Sequence, residues 1–223
     1  MKPEEKNKLL RIANSLNLSQ SQQEQLEAYV LMLREWSGRV NLISTGDAAK
    51  IVDKHIVESL WFCHESILDG AATVLDLGSG GGFPGIPMKI ATPGLEMALL
   101  ESRRNKALFL REAIERLCMK NIRVLCERAE NLAGMDSGFR PVELVVCRAV
   151  ATLVKLARWG APLLVPGGRI AALKGGDIGP ELAEWRRENP GADIAVMEID
   201  ERFGPAAAND SGKMMVIMRF SNP

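Results

Sequence analysis

An apolar run that delivers an acid and then breaks into packed glycines, Val74–Leu–Asp–Leu–Gly–Ser–Gly–Gly–Gly–Phe–Pro–Gly85, constrains this chain more than any other segment. It reads as a strand whose carboxyl end meets a turn where a nucleotide docks on an open α/β sheet. Gly78, Gly80 and Gly82 let backbone come close to a ligand and take dihedrals that a Cβ would penalise. Asp76, at the strand end, can accept hydrogen bonds from a charged or hydroxylated cofactor group. The plain alternative is a tight turn that holds no ligand.

Two cofactor patterns overlap here. Gly80-x-Gly82-x-x-Gly85 satisfies the dinucleotide spacing, and Gly78-x-Gly80-x-Gly82 the shorter spacing of methyltransferases that use S-adenosylmethionine. Register separates them, because an acid just ahead of the first glycine would repel a pyrophosphate and suits a sulfonium or ammonium group. Pro84 also removes an N–H that an anion would use. Both points favour S-adenosylmethionine over NAD.

A chain of 223 residues, 47% of them hydrophobic, can bury one substantial core and carries one α/β domain plus an appendage. Its charged start leads into an amphipathic pattern instead of a signal region, and no run has the length of a membrane span, so a cytoplasmic chain with no membrane partner is expected. The four cysteines, Cys63, Cys118, Cys126 and Cys147, are scattered and only His55 and His64 supplement them, which predicts no metal site and reduced, mostly buried thiols. With 28 basic and 28 acidic residues, the chain does not coat nucleic acid through bulk charge, although a local basic face stays open.

The first 70 residues carry helical periodicity. Leu9, Leu10, Ile12, Ala13 and Leu16 form one apolar face, and Leu26, Tyr29, Val30, Leu33 and Trp36 a second, with Ser19 or Ser21 as cap and Gly38 as stop. Asp47 starts a third predicted helix through Phe62. From Thr73 the pattern alternates: strand 73–77, a helix from Gly85, strand 96–101, helix 103–118, strand 122–126 and a loop. Strand 142–147, helix 151–163, a turn at Pro166-Gly167-Gly168, strand 169–173, helix 181–188 and strands 192–200 and 213–220 complete it. The expectation is a Rossmann-like α/β fold with a seven-stranded, mostly parallel sheet, a terminal antiparallel strand and an N-terminal helical extension. The boundary falls between 1–70 and a catalytic domain over 71–223.

Further constellations gather at predicted strand ends. Glu101 ends the second strand, where a carboxylate meets ribose hydroxyls or caps the next helix. Arg103, Arg104 and Lys106 open that helix, with Arg111 and Arg116 further on; a solvated face is the commoner reading and phosphate contact the alternative, since cations gain nothing from a helix start. Arg128-Ala129-Glu130 follows the third strand, where backbone at Ala129 and the Glu130 side chain can frame an adenine. Arg148 ends the fourth, and a guanidinium leaving an apolar strand needs a partner. Lys174 follows the fifth strand and Lys213 precedes the last. Trp36, Trp61, Trp159 and Trp185 sit mainly at apolar helical positions and read as core or domain-packing residues, not as a base-stacking platform.

These features together resemble the bacterial 16S ribosomal RNA guanine-N7 methyltransferases once called glucose-inhibited division proteins. The resemblance rests on Trp36 with Asn41-Leu42, His55 with Glu58-Ser59, Asp76 through Pro87, Leu100-Glu-Ser102, Phe109-Leu110, Arg128-Ala-Glu130, Arg148-Ala149 and Lys174-Gly175. It implies a class I methyltransferase that moves a methyl group from S-adenosyl-L-methionine to N7 of guanine 527 in the 530 loop of 16S rRNA. The neutral total charge favours an assembled 30S subunit or a precursor over naked RNA as substrate, and no obligate protein partner is expected. The resemblance also implies that Gly78, Phe83, Ala129, Glu130 and Arg148 hold the cofactor, alongside Asp76, Gly80 and Glu101. Arg128, Arg148, Lys174 and Lys213 would face RNA. The chain departs from the family pattern at Glu58, commonly Asp, and at Lys106 and Lys213, often Arg; charge is kept but reach and fork geometry are not. Because N7 has an in-plane lone pair and no proton, no general base is expected, and Arg148 orients instead of exchanging a proton. Competing expectations are a methyltransferase acting on another RNA or a small molecule, a non-catalytic ribosome-binding protein and, weaker, an NAD-dependent oxidoreductase.

Overall fold

The computed structural model of the protein describes residues 1–132, 139–148, 150–199 and 212–220. Ala149, Asp200 and the segments 133–138, 201–211 and 221–223 lie outside the described residues, including the end of the strand expected over 192–200 and the alanine of the Arg148-Ala149 pair.

Seven strands form one sheet: β1 (Thr73–Leu77), β2 (Glu96–Leu100), β3 (Ile122–Leu125), β4 (Val142–Arg148), β5 (Leu164–Gly175), β6 (Asp193–Glu198) and β7 (Lys213–Arg219). Their order is β3-β2-β1-β4-β5-β7-β6, with β1 to β5 parallel and β7 antiparallel to both β5 and β6. This is the expected mostly parallel sheet. The chain crosses over between β3 and β4, so the carboxyl ends of β1 and β4 lie side by side at the switch point where ligands dock on open α/β sheets.

Side chains alternate across the strands. Val74, Leu99, Leu144, Val146 and Ala171 face a core shared with α1 (Pro3–Ser15), α2 (Gln20–Ser37), the segment 51–62, α5 (Gly85–Ala91) and α6 (Arg104–Arg116). Leu75, Leu77, Val145, Cys147 and Ile170 face the other core, closed by α7 (Ala129–Leu132), α8 (Leu153–Gly160) and α9 (Gly179–Glu188). The N-terminal helices therefore pack on the same side of the sheet as α5 and α6. Polar caps fasten them there: Gln22 donates to the Ile90 and Ala91 carbonyls at 2.7 and 3.1 Å, and Gln25 to the Leu117 carbonyl at 2.8 Å, which satisfies the carboxyl ends of α5 and α6.

Several local expectations are corrected. Ser19, not Ser21, caps α2, through a reciprocal pair with Gln22. The helix expected from Asp47 to Phe62 changes winding along its length: a 3-10 segment Thr45–Lys50, a π-helical turn Ile51–Ile56, α3 (Val57–Leu60) and a 3-10 turn Trp61–Cys63, followed by the short α4 (Glu65–Leu68). The turn expected at Pro166-Gly167-Gly168 lies inside β5, as a bulge where the register jumps from Val142 opposite Leu164 to Leu144 opposite Arg169. Gly167, with φ of 78°, takes the left-handed position there. The loop expected after β3 contains α7. Of the free thiols only that of Cys147 is buried, and Cys118 is exposed, against the expectation of mostly buried thiols.

Gly85 marks the tightest approach of helix to sheet. A Cβ there would stand 2.6 Å from Asp76 Oδ2 and would also strike the Leu99 side chain. Gly85→Ala is expected to lower unfolding free energy by about 1–3 kcal/mol through overpacking. Gly94→Ala, where nothing lies within 4 Å, is the control and should change little. Urea midpoints of the two variants measure the contrast, and equal midpoints would refute the packing argument.

Candidate functional site

The glycine turn after β1 is held from every side by groups of its own chain. The amides of Gly78 and Ser79 both donate to the Leu100 carbonyl at 2.9 Å, tying the turn to the end of β2. Gly80 N–H donates to Glu101 Oε2 at 2.9 Å, while Arg103 N–H donates to Glu101 Oε1 at 2.8 Å. Glu101 is buried, so one carboxylate braces the turn and the residue just ahead of α6 together. Gly78, Gly80 and Gly82 have φ of 77°, 58° and 95°, the left-handed region that the sequence anticipated.

Asp76 sits behind the turn, fully buried. Its Oδ2 accepts from Gly85 N–H at 2.9 Å, and its Oδ1 has no hydrogen-bond partner among the described residues. Burial pushes its carboxyl up to about 7, against the pull of the Gly85 amide. From α2, the chain's single tyrosine, Tyr29, donates its hydroxyl to the Gly81 carbonyl at 2.5 Å, and burial drives its ionisation well above 10.0.

Two clefts open at the carboxyl edge of the sheet. The first, about 420 Å³, is lined by Leu77, Gly78, Leu100, Ser102, Arg103, Glu127, Arg128, Ala129, Glu130, Val150 and Trp159. It brings Gly78 together with Arg128, Ala129 and Glu130. Trp159 packs against the core from a half-buried position, as a core or domain-packing residue would, and its remaining surface forms part of this wall. Glu127 accepts from Arg128 N–H at 2.8 Å and Asn131 Nδ2 at 2.9 Å, which fixes the start of α7 beside the cleft.

The second cleft, about 310 Å³, gathers Arg148, Lys174 and Lys213 with Asp47, Lys54, His55 and Glu58. Its cations are already engaged. Buried Glu58 bridges Arg148 Nη1 at 3.0 Å and Lys213 Nζ. Lys174 reaches Glu181 at 2.8 Å and the Ala151 carbonyl at 2.9 Å, and Lys54 reaches Asp47 at 2.9 Å. Arg148 Nη2 lies 2.5 Å from His55 Nδ1, so this nitrogen is the acceptor and Nε2 carries the proton, 3.8 Å from Asp47 Oδ2. Burial first, then the Arg148 charge, lowers His55 to about 4, and burial lowers Arg148 to about 10, which leaves the guanidinium charged at neutral pH. Burial and the Lys54 charge also lower Lys213.

Phe83 joins the glycine turn to this second group. Its ring stacks on His55 at 4.9 Å, meets Tyr29 at 5.7 Å and lies 4.9 Å beneath the Arg148 guanidinium. Of the residues singled out from sequence, Gly78, Arg128, Ala129 and Glu130 thus share one cleft. Arg148, Lys174 and Lys213 share the other, with Phe83 between them and Asp76, Gly80 and Glu101 supporting the turn. Tyr29, Asp47 and Lys54 were not singled out as site residues, and His55 and Glu58 entered only as parts of a resemblance. The i, i+3 spacing of His55 and Glu58, which puts two titratable groups on one face of a segment whose other face is apolar, was the available signal.

The family model described as rRNA small subunit methyltransferase G matches residues 22–201. Ribosomal RNA small subunit methyltransferase G of Roseiflexus sp. (strain RS-1) is 42% identical over 171 residues, spanning 77% of this chain and 73% of its own. The protein of that name from Neisseria meningitidis serogroup A / serotype 4A is 36% identical over 171 residues, 75% of this chain and 79% of its own. Among solved structures, cofactor-bound Rv0187 from MTB aligns with a TM-score of 0.59 at 19% identity, covering 90% of this chain and 91% of that one. The plantazolicin methyltransferase BpumL, in complex with SAH, aligns with a TM-score of 0.57 at 10% identity, covering 91% and 98%. Those two likenesses speak to the fold alone. The match over most of the length, and the identity to relatives of one name, establish that the chain belongs to the rRNA small subunit methyltransferase G family.

Proposed function

We propose that this chain transfers the methyl group of S-adenosyl-L-methionine to N7 of guanine 527 in 16S rRNA, acting on the 30S subunit or a precursor in the cytoplasm. Membership of the family supports methylation of small-subunit rRNA with that donor; the base and the atom are the finer reading. The observation that carries it is the cleft in which Gly78 and the Ala129-Glu130 pair face one another across the ends of β1 and β3.

The residues present fit such a cofactor. Leu100, Ala129 and Val150 offer apolar walls to a planar base, Ser102, Glu127 and Glu130 offer polar groups at the rim, and no Cβ stands at Gly78, where one would lie 3.1 Å from Val150. The buried Asp76, its carboxyl raised to about 7, is partly ionised at neutral pH, and a cation bound in front of the turn would favour its charged form, so the two suit each other. When bound, S-adenosylmethionine supplies an electrophilic methyl group on a sulfonium sulfur. Asp76, Gly78, Gly80, Phe83, Glu101, Ala129, Glu130 and Arg148 are the residues we assign to holding it, several of them by bracing the turn and not by touching the ligand. Guanine N7 already carries its lone pair, so the chain has no proton to remove, and its contribution is orientation and electrostatics.

Toward RNA, Arg128 is exposed and in no ion pair among the described residues, so it can meet a phosphate directly. Arg148, Lys174 and Lys213 can do so only by exchanging a carboxylate for a phosphate. Their carboxylate partners, Glu58 and Glu181, hold them ready on the cofactor's side of the sheet.

The test is transfer of labelled methyl from S-adenosylmethionine to 30S particles from cells lacking this protein, with nuclease mapping. Label on N7 of guanine 527 is expected. No label on particles or on extracted 16S rRNA, despite cofactor binding, would overturn the reading. Gly78→Val should abolish the cofactor-induced rise in melting temperature, because a β-branched side chain at φ of 77° is strained and meets Val150; an undiminished rise would remove Gly78 from the site.

The Arg148 network also sets an acid limit. His55 is held neutral in the fold down to about 4 and protonates near 6.5 when unfolded, so between those values the unfolded chain binds the extra proton. Stability from this group is complete above pH 6.5 and is lost as pH falls toward 4. His55→Gln should therefore close its stability gap to the parent progressively on acidification across that window. Urea midpoints at a series of pH values read it, and a gap that stays constant would show that His55 does not titrate as described.

A further inference from the structure

We infer that the groove between residues 39–41 and the start of α6 binds the phosphodiester backbone of the RNA substrate, an inference that rests on the rRNA reading above. The groove, about 340 Å³, is lined by Arg39, Val40, Asn41, Arg103, Arg104, Asn105 and Lys106. It differs from the second cleft in one respect that decides its chemistry. There, Arg148, Lys213, Lys54 and Lys174 each have a carboxylate at hand. Here Arg39, Arg103, Arg104 and Lys106 engage their side chains in no ion pair or hydrogen bond among the described residues, and Arg39, Arg103 and Arg104 are exposed.

A chain with equal numbers of acids and bases has carboxylates enough to neutralise this group, yet the first turn of α6 contains none. The contrast with α1, whose first turn carries Glu4 and Glu5, is direct. Three cations at the positive end of a helix dipole repel it and one another, a cost that nothing in the fold requires and that an anion removes. The anion is not a small apolar acid, since Val40 is the single apolar lining residue among the described residues; forked donors from two elements suit phosphate oxygens. Arg103 lines this groove and also the cleft that holds Gly78, so a strand crossing the groove arrives at the edge of the proposed cofactor site. Repeated phosphates along one strand, and not an isolated phosphate, match cations spread over both walls.

The experiment measures binding of 16S rRNA against salt for the full chain and for Arg39→Gln/Arg104→Gln/Lys106→Gln. Arg158→Gln/Arg186→Gln/Arg187→Gln, on the opposite face of the sheet, is the control of equal charge change. Arg103 is left in place because it also lines the cofactor cleft. Each phosphate contact removed from a single strand flattens the slope of log affinity against log salt by about 0.7, so the groove variant should lose about 2 in slope and the control should keep the parent value. Arg39→Gln alone, on the wall of the groove that is not part of α6, should lose about 0.7 and guards against misfolding of the helix; an unchanged cofactor-induced melting shift verifies the fold of each variant. An unaltered slope, an equal loss in the control, or displacement of the RNA by millimolar inorganic phosphate at constant ionic strength would overturn the proposal. Methyl transfer by the parent chain is scored separately: a parent that binds RNA with this salt slope but methylates none of it refutes the functional reading and leaves the groove standing.

Discussion

A turn that lets a ligand approach its backbone must still find partners for its own amides and carbonyls, and this constraint shapes the whole cofactor edge. Glycines alone would leave the turn mobile, and a mobile turn would have to be ordered by each ligand that binds. Here the amides of Gly78, Ser79 and Gly80 are taken up by the end of β2 and by Glu101, the Gly81 carbonyl by Tyr29, and the Gly85 amide by Asp76. The partners come from α2, β1 and the strand end after β2, so the turn is set only when the sheet and the N-terminal helices are together. The ordering cost is met during folding, and a ligand meets a shape already made.

Electrostatics divides the same edge into held and unheld charge. Burying Glu58 against Arg148 and Lys213 carries a desolvation penalty that the attraction offsets only with good geometry, and removal of one partner would strand a buried charge. The arrangement is better understood as positional: it ties the irregular segment 45–63 to the ends of β4 and β7 and keeps the Arg148 guanidinium over Phe83. The cations of the 39–41 and 103–106 groove serve no such purpose inside the fold. A neutral total charge therefore conceals a strongly uneven distribution, which is how a protein without a basic surface overall can still meet a polyanion.

The sheet and most of its helices were legible because the signals were local. Short, nearly continuous apolar runs marked β1, β2, β4 and β7, as befits strands buried on both faces, and the glycines announced the turn with its left-handed positions. What was not legible depended on contacts distant in sequence. Trp159 reads as a core or domain-packing residue from its helical spacing, and it does pack against the core, but its second place in the cleft wall follows only from how α8 docks. Pro166-Gly167-Gly168 reads as a turn, but pairing with β4 and β7 carries the strand through it and leaves a bulge. Lys174 and Lys213 read as free cations because their partners, Glu181 on α9 and Glu58 on α3, come from other elements. Asp76 was legible as important, but its orientation toward the Gly85 amide was not.

The change of winding between residues 45 and 63 follows from what that segment must reach. A regular helix would present His55 and Glu58 on one face at a fixed offset and continue in one direction. The π-helical turn over Ile51–Ile56 and the α-helical turn after it instead let Ile51, Val52 and Ile56 stay in the core while His55 stacks on Phe83 and Glu58 extends to Arg148 and Lys213. Such wide turns cost helical hydrogen-bond quality and persist where side chains must be re-aimed. The segment thus reaches the glycine turn through a ring and the sheet edge through a carboxylate, and with Tyr29 from α2 it makes the helices ahead of β1 a structural part of the site. Loss of that contact would loosen Phe83 and the Gly81 carbonyl together, so the extension acts on the proposed cofactor site through packing without lining its cleft.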